Sequence, residues 1–443
     1  MTLKPLSLAV ISAVLLVGCN DDNDTAKLRV THASSDAPLV AVKLNGDVVD
    51  ALAEVDYQQA SPFLAVDSGT YDVSVDALLP ADETLEVIAA NLDLAGDMQY
   101  DVFAVNNTAS IEPVVLMRDD IFIGGNQVRV DVLHAHPDVP GVDIYLSTSD
   151  SITSEAPAIS GLAFKVDSPD LPVTLPSDTY RIRVTLAGQK DVVFDSGELD
   201  LAGGSDLMIT AVPNVDGGAV SPVNLLVADG DDMAVLRNTG EKATVRVVHA
   251  VKDAVEVDVQ ASGSTVAGFE AIAFKEFRSE DLPAGSYDLS VVANIDPSIV
   301  VFDAPGTEVE SGTASSIYAV GSFVSASDFD IEPLLIEEDL RSVATYAKVR
   351  VVHASTAAGT VDVHASADGM FSEATVVLED VEFKDNAVLN VPGGSYSLAV
   401  TPANSLEPLI TGDASVEDGG VYSVVATDDL TGFVINVDTT PSE

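Results

Sequence analysis

One short stretch ending in His-Ala is written four times: Arg29-Val30-Thr31-His32-Ala33, Val132-Leu133-His134-Ala135, Arg246-Val247-Val248-His249-Ala250 and Arg350-Val351-Val352-His353-Ala354. Successive histidines lie 102, 115 and 104 positions apart. A solenoid turn repeats every 20 to 50 residues or so. The repeating unit here is therefore domain-sized, and about a hundred residues are enough to enclose a core. Nine residues beyond the histidine, three copies place an aspartate between apolar neighbours, at Asp143, Asp258 and Asp362, where the first copy has Ala41. The four histidines belong to four domains, so they cannot meet at one metal, and no cysteine or second histidine recurs beside them at ligand spacing. His32, His134, His249 and His353 are expected to be structural hydrogen-bonding groups, paired with Asp143, Asp258 and Asp362 or with a nearby backbone carbonyl. Arg29, Arg246 and Arg350 fall three positions earlier, on the opposite face of an extended strand, and read as surface ion-pair partners.

Each unit repeats one internal order. A turn-rich loop (Ser34-Ser35-Asp36-Ala37-Pro38, Pro137-Asp138-Val139-Pro140) leads to the strand that carries the aspartate. Later a turn opens a strand of strict alternation: Gly69-Thr70-Tyr71-Asp72-Val73-Ser74-Val75, Thr179-Tyr180-Arg181-Ile182-Arg183-Val184, Gly285-Ser286-Tyr287-Asp288-Leu289-Ser290-Val291 and Gly394-Ser395-Tyr396-Ser397-Leu398-Ala399-Val400. A period of two describes a half-buried antiparallel strand. A second alternation follows in Tyr100, Val102, Ala104 and in Tyr422, Val424, Ala426. Three units close on Ile111-Glu112-Pro113, Val220-Ser221-Pro222 and Ile331-Glu332-Pro333, the fourth on Phe433-Val434-Ile435. That proline suits an edge strand. About seven or eight short strands per unit, with no long amphipathic helix, predict an all-β chain of four tandem β-sandwich domains, immunoglobulin-like or transthyretin-like. The expected spans are 27–120, 126–232, 242–340 and 346–443, with joints near Met117 to Gln127, Asp229 to Lys242 and Glu337 to Tyr346. Every joint holds a small acidic cluster and a single arginine.

Residues 1–18 read as an export signal, with Lys4 before an apolar run from Leu6 to Val17 that is too short for a comfortable membrane span. Leu16-Val17-Gly18-Cys19 follows, and Cys19 is the sole cysteine. This stretch resembles the lipobox of bacterial lipoproteins, which implies acylation of Cys19 and a mature chain that starts there. More than one acyl chain is what stable anchoring requires. Residues 19–26 then form an acidic tether. The expected address is the cell envelope, at the outer membrane of a Gram-negative bacterium.

The R-V-V-H-A opening, the V-D-V strand and the P-x-G-S-Y turn resemble the bacterial family called domain of unknown function 4397, found in exported proteins. The resemblance is strongest in units three and four. Unit one lacks the aspartate, and unit two has Asp131 where the others have arginine. The family implies β-rich exported modules and assigns no catalytic residue.

With 71 acidic and 20 basic residues, the formal charge is −51. A field of that sign repels nucleic acid and anionic headgroups. There is no G-x-S-x-G elbow, no phosphate loop and no thiol within the folded units. The sequence thus predicts a lipid-anchored protein of tandem β-domains acting as spacer or interaction modules, without catalysis or cofactor, whose partner is an envelope protein or a glycan. The alternative is a set of glycan- or calcium-binding modules. Aromatics make up 5% and tryptophan is absent, which counts against glycan stacking platforms. For calcium, the joints offer Asp119 and Asp120, then Asp229, Asp231 and Asp232, then Glu337, Glu338 and Asp339. An odd strand number would bring the first loop of a unit to its following joint, Asp36 near Asp119 and Asp138 near Asp231. Such clusters bind Ca²⁺ at about 10⁻⁴ to 10⁻³ M in extracellular modules, although no D-x-D-x-D-G loop is present.

Overall fold

The computed structural model describes residues 25–437 apart from 167, 169–170 and 325–328. Cys19 and the export segment lie outside the described residues. Unit one runs through β1 (Thr25–His32), β2 (Val40–Leu44), β3 (Asp47–Val48), β4 (Leu64–Asp67), β5 (Gly69–Leu78), β6 (Thr84–Leu94), β7 (Met98–Val105) and β8 (Glu112–Asp119). These form two four-stranded sheets, β4-β1-β7-β8 and β3-β2-β5-β6. The other units repeat that order, and unit two adds an edge strand at Asp232–Leu236. The chain is all-β, as the alternation predicts, with eight sheets in four sandwiches. In the immunoglobulin arrangement the first two strands share a sheet. Here β1 and β2 belong to different sheets, which leaves the transthyretin-like member of the expected pair.

β1 pairs with β7 in parallel, with Arg29 opposite Asp101 and His32 opposite Ala104, and β7 pairs with β8 antiparallel. The last strand therefore returns to the end where the first begins. Lys27, at the start of β1, reaches Asp120 in the following joint at 2.8 Å. Asp36, at the other end of β1, accepts from the Thr108 N–H at 2.7 Å. The expectation that the first loop faces the following joint fails for this reason. Eight strands with one parallel pair place Asp36 and Asp119 at opposite ends of the sandwich. In unit two the same register sets Asp206 beside Arg129 and Asp229 beside Leu207, at the end remote from Asp138.

The second sheets alternate as expected, and β5 buries Val73 and Val75 while Thr70 and Asp72 stay exposed. The first sheets do not alternate. From Ala26 onward β1 is buried except at Lys27, and β7 is buried from Gln99 to Val105. Their inner faces form the core of unit one with Leu28, Val30, Tyr100 and Val102. The outer faces pack against the next unit. Ala33, Phe103, Val105 and Leu116 meet Leu133, Ala135, Met208 and Val212 of unit two. Val248, Ala250, Tyr318, Val320 and Ile336 of unit three meet Val352, Ala354, Val425 and Ile435 of unit four in the same way. The chain is thus two four-layered stacks, each a pair of sandwiches joined face to face through equivalent strands, which is the geometry of a self-complementary interface.

This covering also corrects the reading of the repeated arginines. Arg29 is fully buried, Arg246 is 4% exposed, and the Arg350 side chain is mostly buried as well. They lie between units rather than on the surface. The stacks are joined in turn by Arg341, which reaches back to unit one and donates to the Ala37 carbonyl at 2.7 Å and the Asp56 carboxylate at 2.6 Å.

Candidate functional site

The sandwich requires the chain to cross between sheets, and the repeated polar residues stand at the crossings. β1 and β2 are joined by residues 33–39. His32 Nε2 lies 3.0 Å from the Pro38 carbonyl, while the Ser34 N–H points to Nδ1 at 3.3 Å. His134 repeats this with Val139 (3.1 Å), Pro140 (3.2 Å) and the His136 N–H. His249 repeats it with Val255 (3.0 Å) and Val251, and His353 with Gly359 (2.8 Å) and Ser355. Because Nδ1 accepts, the proton of the neutral tautomer belongs on Nε2. Burial pushes His32 down to about 4 and also lowers His134 and His249. The rings of Tyr57, Phe164 and Phe274 meet these three histidines edge to face at 6.2 to 6.3 Å. Between carbonyl and aspartate, the partner is the carbonyl.

The aspartates fasten loops instead. Asp143 accepts from the Gly161 N–H at 2.7 Å and the Gly188 N–H at 2.8 Å. Asp258 takes the Ala271 N–H and the Asn294 amide, and Asp362 takes the N–H groups of Asp380 and Asn404. In unit one, Ala41 faces Asp76 on the adjacent strand, and Asp76 pairs with Lys43. The carboxylate has moved one strand across. The crossing from β4 to β5 carries a third device that the sequence marks only by its recurrent tyrosine. Tyr71, Tyr180, Tyr287 and Tyr396 each donate to the carbonyl four residues earlier, at 2.7 to 3.0 Å.

After each of Tyr57, Phe164 and Phe274, and after Phe383 in unit four, a residue with positive φ donates its N–H to the histidine carbonyl: Gln58, Lys165, Lys275 and Lys384. The lysines then bridge the pair. Lys165 reaches Glu112 of unit one at 2.5 Å, Lys275 reaches Asp429 of unit four at 2.5 Å, and Lys384 reaches Glu332 of unit three at 2.9 Å. Between units one and two lies a charge network. Arg118 contacts Asp101 at 3.1 Å, Asp206 at 3.0 Å and Asp131 at 3.8 Å. Arg29 pairs with Asp101 at 2.5 Å, and Arg129 with Asp206. Three guanidiniums face three carboxylates, so the covered layer carries no net charge. Arg29 also stacks on the Phe63 ring at 4.3 Å.

The joint acids are spread over these contacts. Asp120 meets Lys27 and Gln99, and the Asp119 carbonyl accepts from Arg129. Asp229 accepts from the Asp206 N–H and Asp231 from the Phe63 N–H, while Asp232 opens the added strand of unit two opposite Asp229. The Glu337 carbonyl and the Glu338 carboxylate hold Arg350, and Asp339 holds Lys348. Burial alone would raise Asp339, but Lys348 and Arg341 together outweigh it and leave the carboxyl below its ordinary range. Among the described residues no group of three or more His, Cys, Asp or Glu is placed to hold a metal ion. Asp120, Asp229, Asp231, Glu338 and Asp339 are instead engaged one by one with basic side chains or backbone N–H groups.

The joint arginines were visible in the sequence without a role, and the structure supplies one. Arg118 centres the network, Arg237 pairs with Asp216 at 2.6 Å, and Arg341 closes the chain on unit one. Two-sided burial also left a signal, namely consecutive apolar residues in place of alternation, as in Val102-Phe103-Ala104-Val105 and Val247-Val248.

These features define a class: tandem β-sandwich modules with a histidine-clamped first crossing, paired through their first sheets. The chain belongs to the family described as Domain of unknown function (DUF4397), whose model matches residues 26–145 and 243–364, more than half of the chain. Each match begins at the opening strand of the first member of a pair and runs into the second member. No curated protein matches. Among solved structures, the chain is similar to the TIE protein of Bacillus anthracis, with 11% identity and a TM-score of 0.15 over 88% of this chain and 65% of that one. It thus spans about two thirds of the length of that protein. A candidate cell adhesion protein from Bacteroides uniformis matches at 11% identity and a TM-score of 0.20, over 48% of this chain and 98% of that one.

Proposed function

We propose that the protein is a lipid-anchored, non-catalytic component of the cell envelope, at the outer membrane, whose paired sandwiches form a rigid interaction module. One observation carries this reading. The polar residues written into every unit, the histidines and tyrosines, all bond to backbone groups of their own unit and hold its crossings, so what the repeat preserves is shape. The second sheets keep one face in solvent, where Asp72 and Asp93 of unit one and Asp413 of unit four are exposed. Such acidic faces suit an envelope partner with a complementary basic surface. The anchor rests on Cys19 at the end of Leu16-Val17-Gly18.

Fractionation of cells labelled with a palmitate analogue tests the anchor. Wild type should carry label and remain with membranes, whereas Cys19→Ser should be unlabelled and either soluble or retained as precursor. Mature Cys19→Ser protein that stays in the membrane fraction would overturn the reading.

A further inference from the structure

Unit four does not fill its interior. Its core-facing Val349, Val351, Leu398, Val400 and Val424 are only half-buried. Their counterparts in unit two, Val130, Val132, Ile182, Val184 and Ile209, are at most 2% exposed. Between the two sheets of unit four lies a cavity of about 180 Å³ that opens to solvent. The cause is local and sequential. Opposite Tyr396, Leu398 and Ala426 stand Ala414, Gly412 and Gly432. The residues opposite Tyr180 and Ala211 in unit two are Leu199 and Leu225. A Cβ built on Gly412 meets nothing within 4 Å.

The wall of this cavity is predominantly apolar, built mainly from valine, leucine, isoleucine and alanine with the rings of Tyr396 and Phe433, and Thr411, Asp413 and Thr431 also line it. His353 reaches it, but its Nε2 lies 2.8 Å from the Gly359 carbonyl and its Nδ1 takes the Ser355 N–H. Asp413, exposed on the strand that lines the opening, accepts from the Ser397 hydroxyl. An enclosed apolar cavity of about 150 Å³ takes up small hydrocarbon ligands, and this one offers comparable room with an opening for a ligand's polar end. The occupant that matches this wall is apolar and slender. The net charge of −51 and the exposed Asp413 oppose an anionic headgroup.

We propose that unit four is a receptor for an aliphatic hydrocarbon chain with a neutral or cationic head, inserted between its sheets. The chain comes from a free amphiphile or from a bilayer lipid. The neutral dye N-phenyl-1-naphthylamine reports occupancy by fluorescence when mixed with the purified chain. The expected result is enhanced emission that 1-octanol and octylammonium remove, with octanoate weaker by about tenfold or more. Gly412→Leu and Ala414→Leu fill the space from one strand and should each weaken dye binding by about tenfold or more while the β-sheet circular dichroism is retained. Co-flotation of the purified, unacylated chain with neutral phosphatidylcholine vesicles identifies a bilayer source, and dye displacement by 1-octanol without co-flotation a free amphiphile. Absence of enhancement in wild type, or undiminished enhancement in both folded variants, overturns the proposal. Equal competition by octanoate overturns its headgroup part. Neither result bears on the Cys19 anchor, which is read by fractionation.

Discussion

His32 is a base that the fold holds uncharged. Its Nδ1 accepts the Ser34 N–H, and a proton added there would face a donor inside an apolar core. The folded pKa of about 4 lies below the ordinary 6.5. The unfolded chain therefore binds the proton first as pH falls. The stabilisation is complete above pH 6.5, declines from there downward, and is gone below about 4, a loss of about 3 kcal/mol. Chemical denaturation of wild type and His32→Gln between pH 7 and pH 4.5 checks this, and the variant should show the shallower decline. His249→Ala removes the same clamp from unit three and should cost about 1 to 3 kcal/mol, because the Val255 carbonyl and the Val251 N–H lose their partner. Unchanged stability in urea titration would remove the clamp role. The recurrence of these histidines was legible in the sequence, and so were their two candidate partners. The choice between carbonyl and aspartate was not, since it depends on which way a crossing loop folds back.

At the scale of the strand, β1 and β7 show what a period-two reading omits. Tyr100, Val102 and Ala104 are an inner face, and the alternation that marks them is real. Phe103 and Val105, between and beyond them, are equally buried by a second layer that sequence periodicity does not see. Arg29 and Asp101 look like surface residues for the same reason, because charge in a strand normally means solvent. Covered by unit two, they depend on each other. Removing one partner of a buried ion pair costs about 3 to 5 kcal/mol, since the remaining charge is stranded. Asp101→Ala removes the carboxylate paired with Arg29 and one of the three that Arg118 contacts, and should destabilise the first stack by about that amount. Asp72→Ala on the exposed face of β5 serves as the control and should change stability little. Thermal denaturation of the two variants separates buried network from exposed charge.

For the whole molecule, four similar units in tandem were legible, but their association was not. A repeat of about a hundred residues fits independent beads as well as it fits stacked pairs, and polar joints favour the first picture. The distinction lies on the outer faces of the first sheets. Excised at 242–342, unit three would expose Val248, Ala250, Tyr318, Val320 and Ile336, which unit four covers in the full chain. Large contiguous apolar patches are uncommon on soluble monomers. The expectation is that 242–342 does not remain a stable monomer and either self-associates through this face or melts well below the parent chain. The segment 242–437 should be monomeric and cooperative, because it contains both halves of the interface and the bridges Lys275–Asp429 and Lys384–Glu332. Sedimentation equilibrium joined to thermal circular dichroism decides between pairs and beads. A monomeric 242–342 that melts at the same temperature as 242–437 would show that the face-to-face packing contributes nothing to folding. A tyrosine-to-lysine change at the centre of the face gives the independent check. Tyr318→Lys should destabilise 242–437, because the ring is fully buried between the units, and should relieve self-association of 242–342 by placing a charge where the second copy would sit.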